Sequence, residues 1–221
     1  MCGRFTIMKN QKALEARFGA VFGFDYAPRY NAAPMQELAV ILNHEPDKIQ
    51  KLTWGLMPKW VKNIKSSGGI INTRMETLRD KSTFEKDLLE RRCLAIADGF
   101  YEWKKTGKGK EPYFIRLKNE EPFAFPCIWE ENEVNGKKIK TFSIITCDPN
   151  SLMKKIHDRM PVILTPEEEQ AWLDPKAEKR ALLKLLNAYP AKEMKADEIT
   201  KLVNNPKNDN PDIIKPPQTL L

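Results

Sequence analysis

The chain has 221 residues, of which 41% are hydrophobic and 30% charged, as is usual for soluble globular proteins. No apolar run approaches the roughly 20 residues of a membrane span, and charged residues interrupt the N-terminus, so neither a membrane protein nor a signal peptide is indicated and a cytoplasmic location is expected. The net charge of +7 and the pI near 9.1 are compatible with a nucleic-acid partner.

The first half of the chain predicts short elements separated by turns. Apolar spacing defines the elements, and glycine and proline positions define their ends. In order, they are a helix at 11–18 that stops at Gly19, a loop at 26–34, strands at 37–42 and 48–56 separated by a turn at 45–47, and a helix at 82–90 opened by a capping box of Ser82 and Glu85.

The second half predicts strands first and helices later. In order, the elements are one buried strand at 92–103, a meander of strands at 112–117, 123–130 and 140–147 with a turn at Asn135-Gly136, a strand at 161–164, a helix opened by Thr165-Pro166-x-Glu168, and helices at 176–187 and 196–203. Residues 204–221 are rich in Asn and Pro and are expected to form a poorly ordered tail. We therefore expect one α+β domain at 1–203 with a largely antiparallel, barrel-like sheet flanked by helices.

The cysteines and histidines limit the metal and redox chemistry. No two of the four cysteines have C-x-x-C spacing, and the chain has only two histidines. We therefore predict neither a metal site nor a cofactor. Cys93, Cys127 and Cys147 each lie in an apolar, strand-like run and are expected to be small core residues.

Cys2 differs from the other cysteines because it follows the initiator methionine. Removal of Met1 would leave an α-amine with a pKa of about 7.7–8.0 beside a thiol with a pKa of about 8.5. The amine can form an imine with an aldehyde, and the thiol can then close a five-membered thiazolidine ring intramolecularly. Gly3 permits a close approach of the partner, and Arg4 can bind a phosphate. The alternative is an incidental cysteine in a frayed terminus.

Two later segments supply residues that complement this chemistry. Asn72 can contact a sugar oxygen, and Arg74 can either clamp a phosphate or form a structural ion pair with Glu76. Glu102 shares a strand face with Phe100, and a carboxyl in apolar surroundings is suited to proton transfer near neutral pH. The alternative for Glu102 is an exposed position at the end of a strand.

A third segment and a tryptophan pair complete the set of candidates. His157 lies in a polar turn and can act as a general acid or base, or it can simply pair with Asp158. Arg159 can bind a phosphate. Trp60 can stack on an unpaired base, whereas Trp54 is expected to lie in the core.

Six motifs occur in a diagnostic order. They are MCGRF at the start, RYNAAP at Arg29–Pro34, WGL at Trp54–Leu56, INTRMET at Ile71–Thr77, GFYEWK at Gly99–Lys104 and HDRMPVIL at His157–Leu164. Together they resemble the SRAP family (SOS response-associated peptidase domain), and the resemblance extends to about Trp172. The family usually has Ala where this chain has Thr73.

The resemblance implies a DNA-damage function. It implies a shield for abasic sites that binds single-stranded DNA, including single-strand/double-strand junctions, and forms a covalent thiazolidine crosslink. Cys2 would be the nucleophile, Asn72 would lie at the abasic sugar, and Glu102 and His157 would transfer protons. The implied DNA-binding residues are Arg4, Arg74 and Arg159 at phosphates, Pro34 and Trp60 as a wedge at the junction, and Trp103 and Thr146 along the DNA path.

Three other activities remain open at the level of sequence. The imine at Cys2 also permits weak abasic-site lyase activity by β-elimination. A cysteine peptidase can be composed of Cys2, His157 and either Asn72 or Glu102, and its smallest version removes its own Met1. A non-covalent single-strand binder needs only the basic balance, Trp60 and the arginines. In each case we expect a monomer.

Overall fold

A computed structural model describes residues 2–59, 69–80, 84–107, 109–134 and 136–217. Trp60, Ser82 and Asn135, on which three of the sequence predictions depend, lie outside these ranges. The strands of the described residues are β1 (Phe5–Ile7), β2 (Val21–Phe22), β3 (Arg29–Ala32), β4 (Glu37–Leu42), β5 (Glu45–Trp54), β6 (Asn72–Arg74), β7 (Arg92–Ala97), β8 (Gly99–Thr106), β9 (Gly109–Leu117), β10 (Phe123–Val134), β11 (Lys137–Cys147), β12 (Met160–Pro161) and β13 (Met194–Glu198). The helices are α1 (Gln11–Phe18), α2 (Met75–Asp80), α3 (Glu85–Glu90), α4 (Pro166–Leu173) and α5 (Lys179–Leu185).

The sheets confirm the predicted α+β fold with a barrel-like core. Antiparallel pairing runs β11-β10-β7-β4-β5, and a parallel pairing of β5 with β11 closes these five strands into a ring. A second sheet has the order β13-β9-β8-β1-β3. Strand β6, which belongs to the INTRMET motif, pairs in parallel with β11, next to the part of β11 that pairs with β5.

The segment predicted as one strand at 92–103 is two strands in different sheets. The chain bends at Asp98, whose carboxylate accepts hydrogen bonds from the Thr6 hydroxyl at 2.6 Å and from the backbone N–H groups of Met8 and Lys9. The next residue, Gly99, has no room for a side chain, because a Cβ there would lie 2.2 Å from the Phe114 ring. The bend carries β8 away from the barrel and beside β1.

The core confirms the predictions for the cysteines and for Trp54. Cys93, Cys127 and Cys147 are buried, and Cys93 and Cys127 are cross-strand neighbours on β7 and β10. Trp54 is fully buried, and its indole N–H donates to the Ile71 carbonyl at 2.8 Å. This hydrogen bond joins the barrel to the residue that precedes β6.

Two helix predictions are confirmed together with their caps. Helix α1 ends at Gly19, which adopts a left-handed φ of 64°. Helix α4 begins with the predicted capping box, in which Thr165 and Glu168 each accept a hydrogen bond from the other's backbone. None of the described helices is long and apolar enough to cross a membrane.

Three predicted boundaries are wrong, two of them because the deciding partner is far away in sequence. The predicted loop at 26–34 contains β3, because Ala32 pairs with Phe5 of β1. The predicted helix at 196–203 is replaced by β13, which pairs with β9 across Ala196 and Ile115, and by a 3-10 helix at Lys201–Asn204. The predicted turn at 45–47 lies inside β5, and the chain turns two residues earlier.

The predicted tail is instead packed against the domain as far as the described residues extend. A 3-10 helix at Pro211–Ile214 buries Ile213 against Tyr101 and Phe114. The carboxylate of Asp209 accepts hydrogen bonds from the backbone N–H groups of Tyr30 and Asn31. Residues 199–215 therefore form a clasp over β3 and β8, and we refer to them as the C-terminal clasp.

Candidate functional site

Cys2 precedes β1 in the chain, and its thiol and its carbonyl both contact other residues of the protein. Its side chain is fully buried, and the thiol lies 3.6 Å from the carbonyl oxygen of Arg4. That carbonyl also accepts a hydrogen bond from the backbone N–H of Tyr101 at 3.0 Å. The MCGRF and GFYEWK motifs are therefore adjacent in space.

Asn72 brings a third motif to the same place. Its side-chain Nδ2 donates to the Cys2 carbonyl at 2.9 Å, while its buried Oδ1 accepts no hydrogen bond from the described residues. The neighbouring Thr73 turns the other way and shares a hydrogen bond of 2.8 Å with the buried Ser143 hydroxyl. The hydrogen bond between Thr73 and Ser143 fixes the orientation of the strand, so that Asn72 points toward Cys2. It also accommodates a Thr at position 73.

Glu102 is the carboxylate of this cluster. It is 2% exposed, so the structure confirms the predicted burial and excludes the exposed strand end. Burial raises the pKa of the Cys2 thiol well above its ordinary value, and the negative charge of Glu102 raises it further. The Cys2 sulfur is therefore a protonated thiol at neutral pH in this environment.

A cleft adjoins the cluster, because Arg74 lies on β6 with Asn72, and Trp103 directly follows Glu102 on β8. Its volume is about 520 Å³, and it is open to solvent. It is lined by Arg74, Trp103, Lys105, Ile156, His157, Asp158 and Arg159. Four predicted site residues, from three separate segments, therefore share one cleft.

His157 presents its ring from the turn that precedes β12. Its Nδ1 lies 3.0 Å from the backbone nitrogen of Arg159 and 2.8 Å from Asp158 Oδ1. The first contact requires an unprotonated Nδ1 and the second a protonated one, so this geometry is compatible with both the neutral and the protonated ring. The protonated ring can act as a general acid.

Arg159 is engaged by the protein itself. Its guanidinium forms a bidentate ion pair with Glu76 at 2.8 and 2.9 Å, and it also contacts Asp148 at 2.8 Å and the Thr146 carbonyl at 2.8 Å. Glu76 therefore pairs with Arg159 rather than with Arg74. Arg74 is exposed on the cleft wall, and of the two it is the one directed to solvent.

Arg4, predicted at a phosphate, points away from the cleft and into the C-terminal clasp. Its Nη1 donates to Asn31 Oδ1 at 2.9 Å and to the Val203 carbonyl at 3.0 Å. Burial lowers the pKa of this guanidinium. Asn31 in turn donates from Nδ2 to the carbonyls of Val203, Asn205 and Asn208.

The remaining predicted DNA contacts lie in varied places. Trp103 lies in the cleft, with its indole N–H held by Asn204 Oδ1 at 2.7 Å. Thr146 is fully buried on β11, so its side chain contributes no surface in this conformation. Pro34 is half-buried in the turn after β3 and does not line the cleft, and Trp60 lies outside the described residues.

Sequence reasoning missed two features of the site. Lys105 was given no role, although it lines the cleft. Period-two alternation in β8 contained the necessary signal, because it places Lys105 on the face of Trp103. Asn31 is part of a quoted motif but was given no role, and its partners are too distant in sequence to be recognised from spacing.

A family model described as SOS response associated peptidase (SRAP) matches residues 1–206. The chain belongs to the SRAP family. Among its curated relatives, it is 43% identical to the abasic site processing protein YoqW of Bacillus subtilis (strain 168), over 97% of this chain and 99% of that protein. It is 31% identical to the abasic site processing protein HMCES of Gallus gallus, over 86% of this chain and 67% of that protein.

Solved structures show that the similarity extends to the fold. A crystal structure of a protein from Bacteroides thetaiotaomicron matches with a TM-score of 0.88 and 28% identity, over 98% of this chain and 100% of that one. A crystal structure of a phage-related protein from Bordetella bronchiseptica matches with a TM-score of 0.73 and 25% identity, over 90% of this chain and 95% of that one. The SRAP fold thus includes both sheets.

Proposed function

We propose that this SRAP protein shields abasic sites in single-stranded DNA by forming a covalent thiazolidine crosslink at Cys2 after Met1 has been removed. The observation that carries the proposal is the placement of Cys2, whose carbonyl is held by Asn72 and whose thiol lies beside the buried Glu102. Held in this way, one residue presents its backbone nitrogen and its sulfur to the same small volume. The names of the curated relatives supply the aldehyde, an abasic deoxyribose.

The proposed reaction begins at nitrogen. The Cys2 amine adds to the aldehyde carbon of the ring-opened sugar, and loss of water gives an imine. The sulfur then bonds to that carbon, the C=N electron pair returns to nitrogen, and the thiol proton moves to the nitrogen. Glu102 relays the proton, and His157 in its protonated form promotes ring opening as a general acid.

The protonated state of the thiol favours this order of steps. A thiolate-first peptidase needs a cysteine whose pKa is lowered by a neighbouring base. Here burial and the charge of Glu102 raise the pKa of Cys2 instead. The amine-first reaction is compatible with a protonated thiol, so we favour the crosslinker over a general cysteine peptidase.

Single-stranded DNA is the proposed partner because the cleft offers an exposed arginine and a fixed tryptophan at its wall. Bases stack on such rings whatever their sequence. The proposed wedge of Pro34 and Trp60 would distinguish a junction from a plain single strand. We further propose that the protein acts as a monomer in the response to DNA damage.

The decisive experiment incubates the Met1-processed protein with an abasic single-stranded oligonucleotide and separates the products under denaturing conditions. We expect a stable adduct in the wild type and in Cys147→Ser, a control that removes a buried thiol elsewhere in the chain. We expect no stable adduct in Cys2→Ala. The α-amine remains in both Cys2→Ala and Cys2→Ser, so each should give only an imine adduct that borohydride traps. A stable adduct in Cys2→Ala would refute the proposal.

Intact-mass analysis tests self-processing, the remaining peptidase hypothesis. If the chain removes its own Met1, Glu102→Gln and His157→Ala should retain Met1 when produced in cells. Loss of Met1 from both variants assigns this step to a separate aminopeptidase. Strand-cleavage products in the same abasic incubations measure the lyase alternative, which the thiazolidine should suppress by removing the imine.

A further inference from the structure

We propose that one face of the β8–β9 hairpin, marked by Lys105 and Lys110, continues the cleft as a track for the phosphates of single-stranded DNA. The inference rests on the proposed function, because it extends the path of the same strand. Lys105 lies at the cleft wall, and Lys110 lies directly opposite it on β9. The lysine pair therefore starts at the wall of the cleft and extends away from it.

The pairing of charges across the hairpin differs between its two faces. On one face Lys104 is directly opposite Glu111, a residue of opposite charge. On the other face Lys105 is opposite Lys110, and both side chains are exposed. Like charges directly opposite each other destabilise a hairpin. No carboxylate of the described residues forms an ion pair with either amine, so an external anion is the natural counter-charge.

The cleft needs additional cations if it is to hold a polyanion. Arg159 is neutralised by Glu76 and Asp148, and Asp158, which is 88% exposed, adds a negative charge at the rim. Arg74 is the exposed arginine that remains on the wall. The hairpin supplies the missing positive charge at the adjoining edge.

Trp103 connects the cleft to the track. It is on the same face of β8 as Lys105, two residues away, and its indole N–H is held by Asn204 at 2.7 Å. A fixed ring beside a row of cations is the arrangement that holds an unpaired base while its phosphates are neutralised. We therefore expect a strand to stack on Trp103 and continue over Lys105 and Lys110.

The test measures the affinity for a fluorescein-labelled oligothymidylate without abasic sites over a range of salt concentrations. Each phosphate contact with a single strand contributes about 0.7 to the slope of log K against log salt. We expect the double variant Lys105→Ala/Lys110→Ala to lower the slope by about 1.4. Lys104→Ala, the matched control on the other face, should keep the wild-type slope, and so should Lys105→Arg/Lys110→Arg.

Thermal stability provides a second readout, which is expected to change in the opposite direction from the affinity for DNA. Lys110→Glu replaces a like-charge pair by an attractive one, so the melting temperature should stay the same or rise while the affinity for DNA falls. A wild-type slope in the double alanine variant overturns the track, as does an equal loss in Lys104→Ala. A slope that falls as expected in a protein that forms no adduct at Cys2 supports the track and refutes only the crosslinking function.

Discussion

At the scale of single residues, the site depends on how Asn72 holds the chain terminus. One amide group contacts the Cys2 carbonyl through Nδ2 and keeps a buried acceptor, Oδ1, to which no described residue donates. In the proposed reaction, this amide would join the Cys2 nucleophile to the bound sugar. The amide group indicated that Asn72 can contact a sugar oxygen, and the family resemblance implied a position at the abasic sugar. Neither indicated the bond to Cys2, which spans 70 positions.

Asn72→Ala should slow adduct formation without weakening the binding of undamaged single strands. Loss of a hydrogen bond that positions the nucleophile costs about 1.5 kcal/mol, equivalent to about a tenfold lower rate. Single-turnover adduct kinetics at saturating DNA measure the effect. Asn187→Ala, which alters an exposed amide remote from the cluster, is the control. A normal rate in Asn72→Ala would show that the contact is dispensable.

A second residue-scale prediction concerns Arg159, which the structure pairs with Glu76. This contact holds the pKa of the Glu76 carboxyl below its usual value. A lowered pKa in the folded state means that the stabilisation is complete above the ordinary Glu value of about 4.3 and is lost as the pH falls through the lowered value. We expect Arg159→Met to lose about 2 kcal/mol near pH 7, a decrease of about 4–8 °C in Tm, with allowance for the partial exposure of Glu76.

Thermal melts of wild type and Arg159→Met as a function of pH check the sign. The difference in Tm should narrow when the pH is lowered below about 4.3. Arg74→Ala is the control, because an exposed arginine should leave Tm unchanged while it lowers the salt dependence of DNA binding. A Tm difference that grows in acid would contradict the assignment of the Glu76 contact.

At the scale of elements, period-two patterns predicted the long hairpins well, because a strand with one buried face shows this in its own residues. The patterns failed where the deciding partner is distant in sequence. The bend at Asp98 depends on Thr6 and Met8, and β13 exists because Ile115 of β9 lies beside Ala196. Neither contact can be recognised from the residues of the segment itself.

Arg92 gives an element-scale prediction, because it holds two helix ends against the barrel. Its fully buried guanidinium donates to the Leu88 and Leu89 carbonyls at the end of α3, and to the Trp172 and Asp174 carbonyls at the end of α4. Arg92→Met would leave these acceptors without their donor, and it should lower the free energy of unfolding by about 3 kcal/mol. Urea denaturation measures this. Wild-type stability in Arg92→Met would show that the helix ends hold without it.

At the scale of the whole molecule, the C-terminal clasp connects the end of the described chain to its beginning. Asn31 bonds to Arg4 on one side and to the carbonyls of the clasp on the other. A clasp of this kind fixes the strand that carries Cys2. Composition predicted a loose tail here, because Asn and Pro are typical of disorder when their hydrogen bonds are to water. Here the Asn205 and Asn208 carbonyls accept from Asn31 of β3, and the Asn204 side chain accepts from Trp103 of β8.

Asp209→Ala tests the clasp. It removes the acceptor for the Tyr30 and Asn31 N–H groups and the 2.6 Å ion pair with Arg29. We expect limited proteolysis to cleave within residues 199–215 faster than in wild type and adduct formation to slow. Asp212→Ala, an exposed carboxylate in the same segment, should behave as wild type. Equal protease resistance in the two variants would show that Asp209 is not what closes the clasp.

The position of Cys2 has a mechanical consequence for any DNA attached to it. The residue precedes β1, which lies between β3 and β8 in the second sheet, so a tethered strand would be anchored to the interior of the sheet. Proteolysis of exposed loops would trim the protein and leave that anchor in place. Complete removal of the protein would then require the domain to unfold first. The unfolding rate of the domain would therefore set how long the protein remains on the lesion.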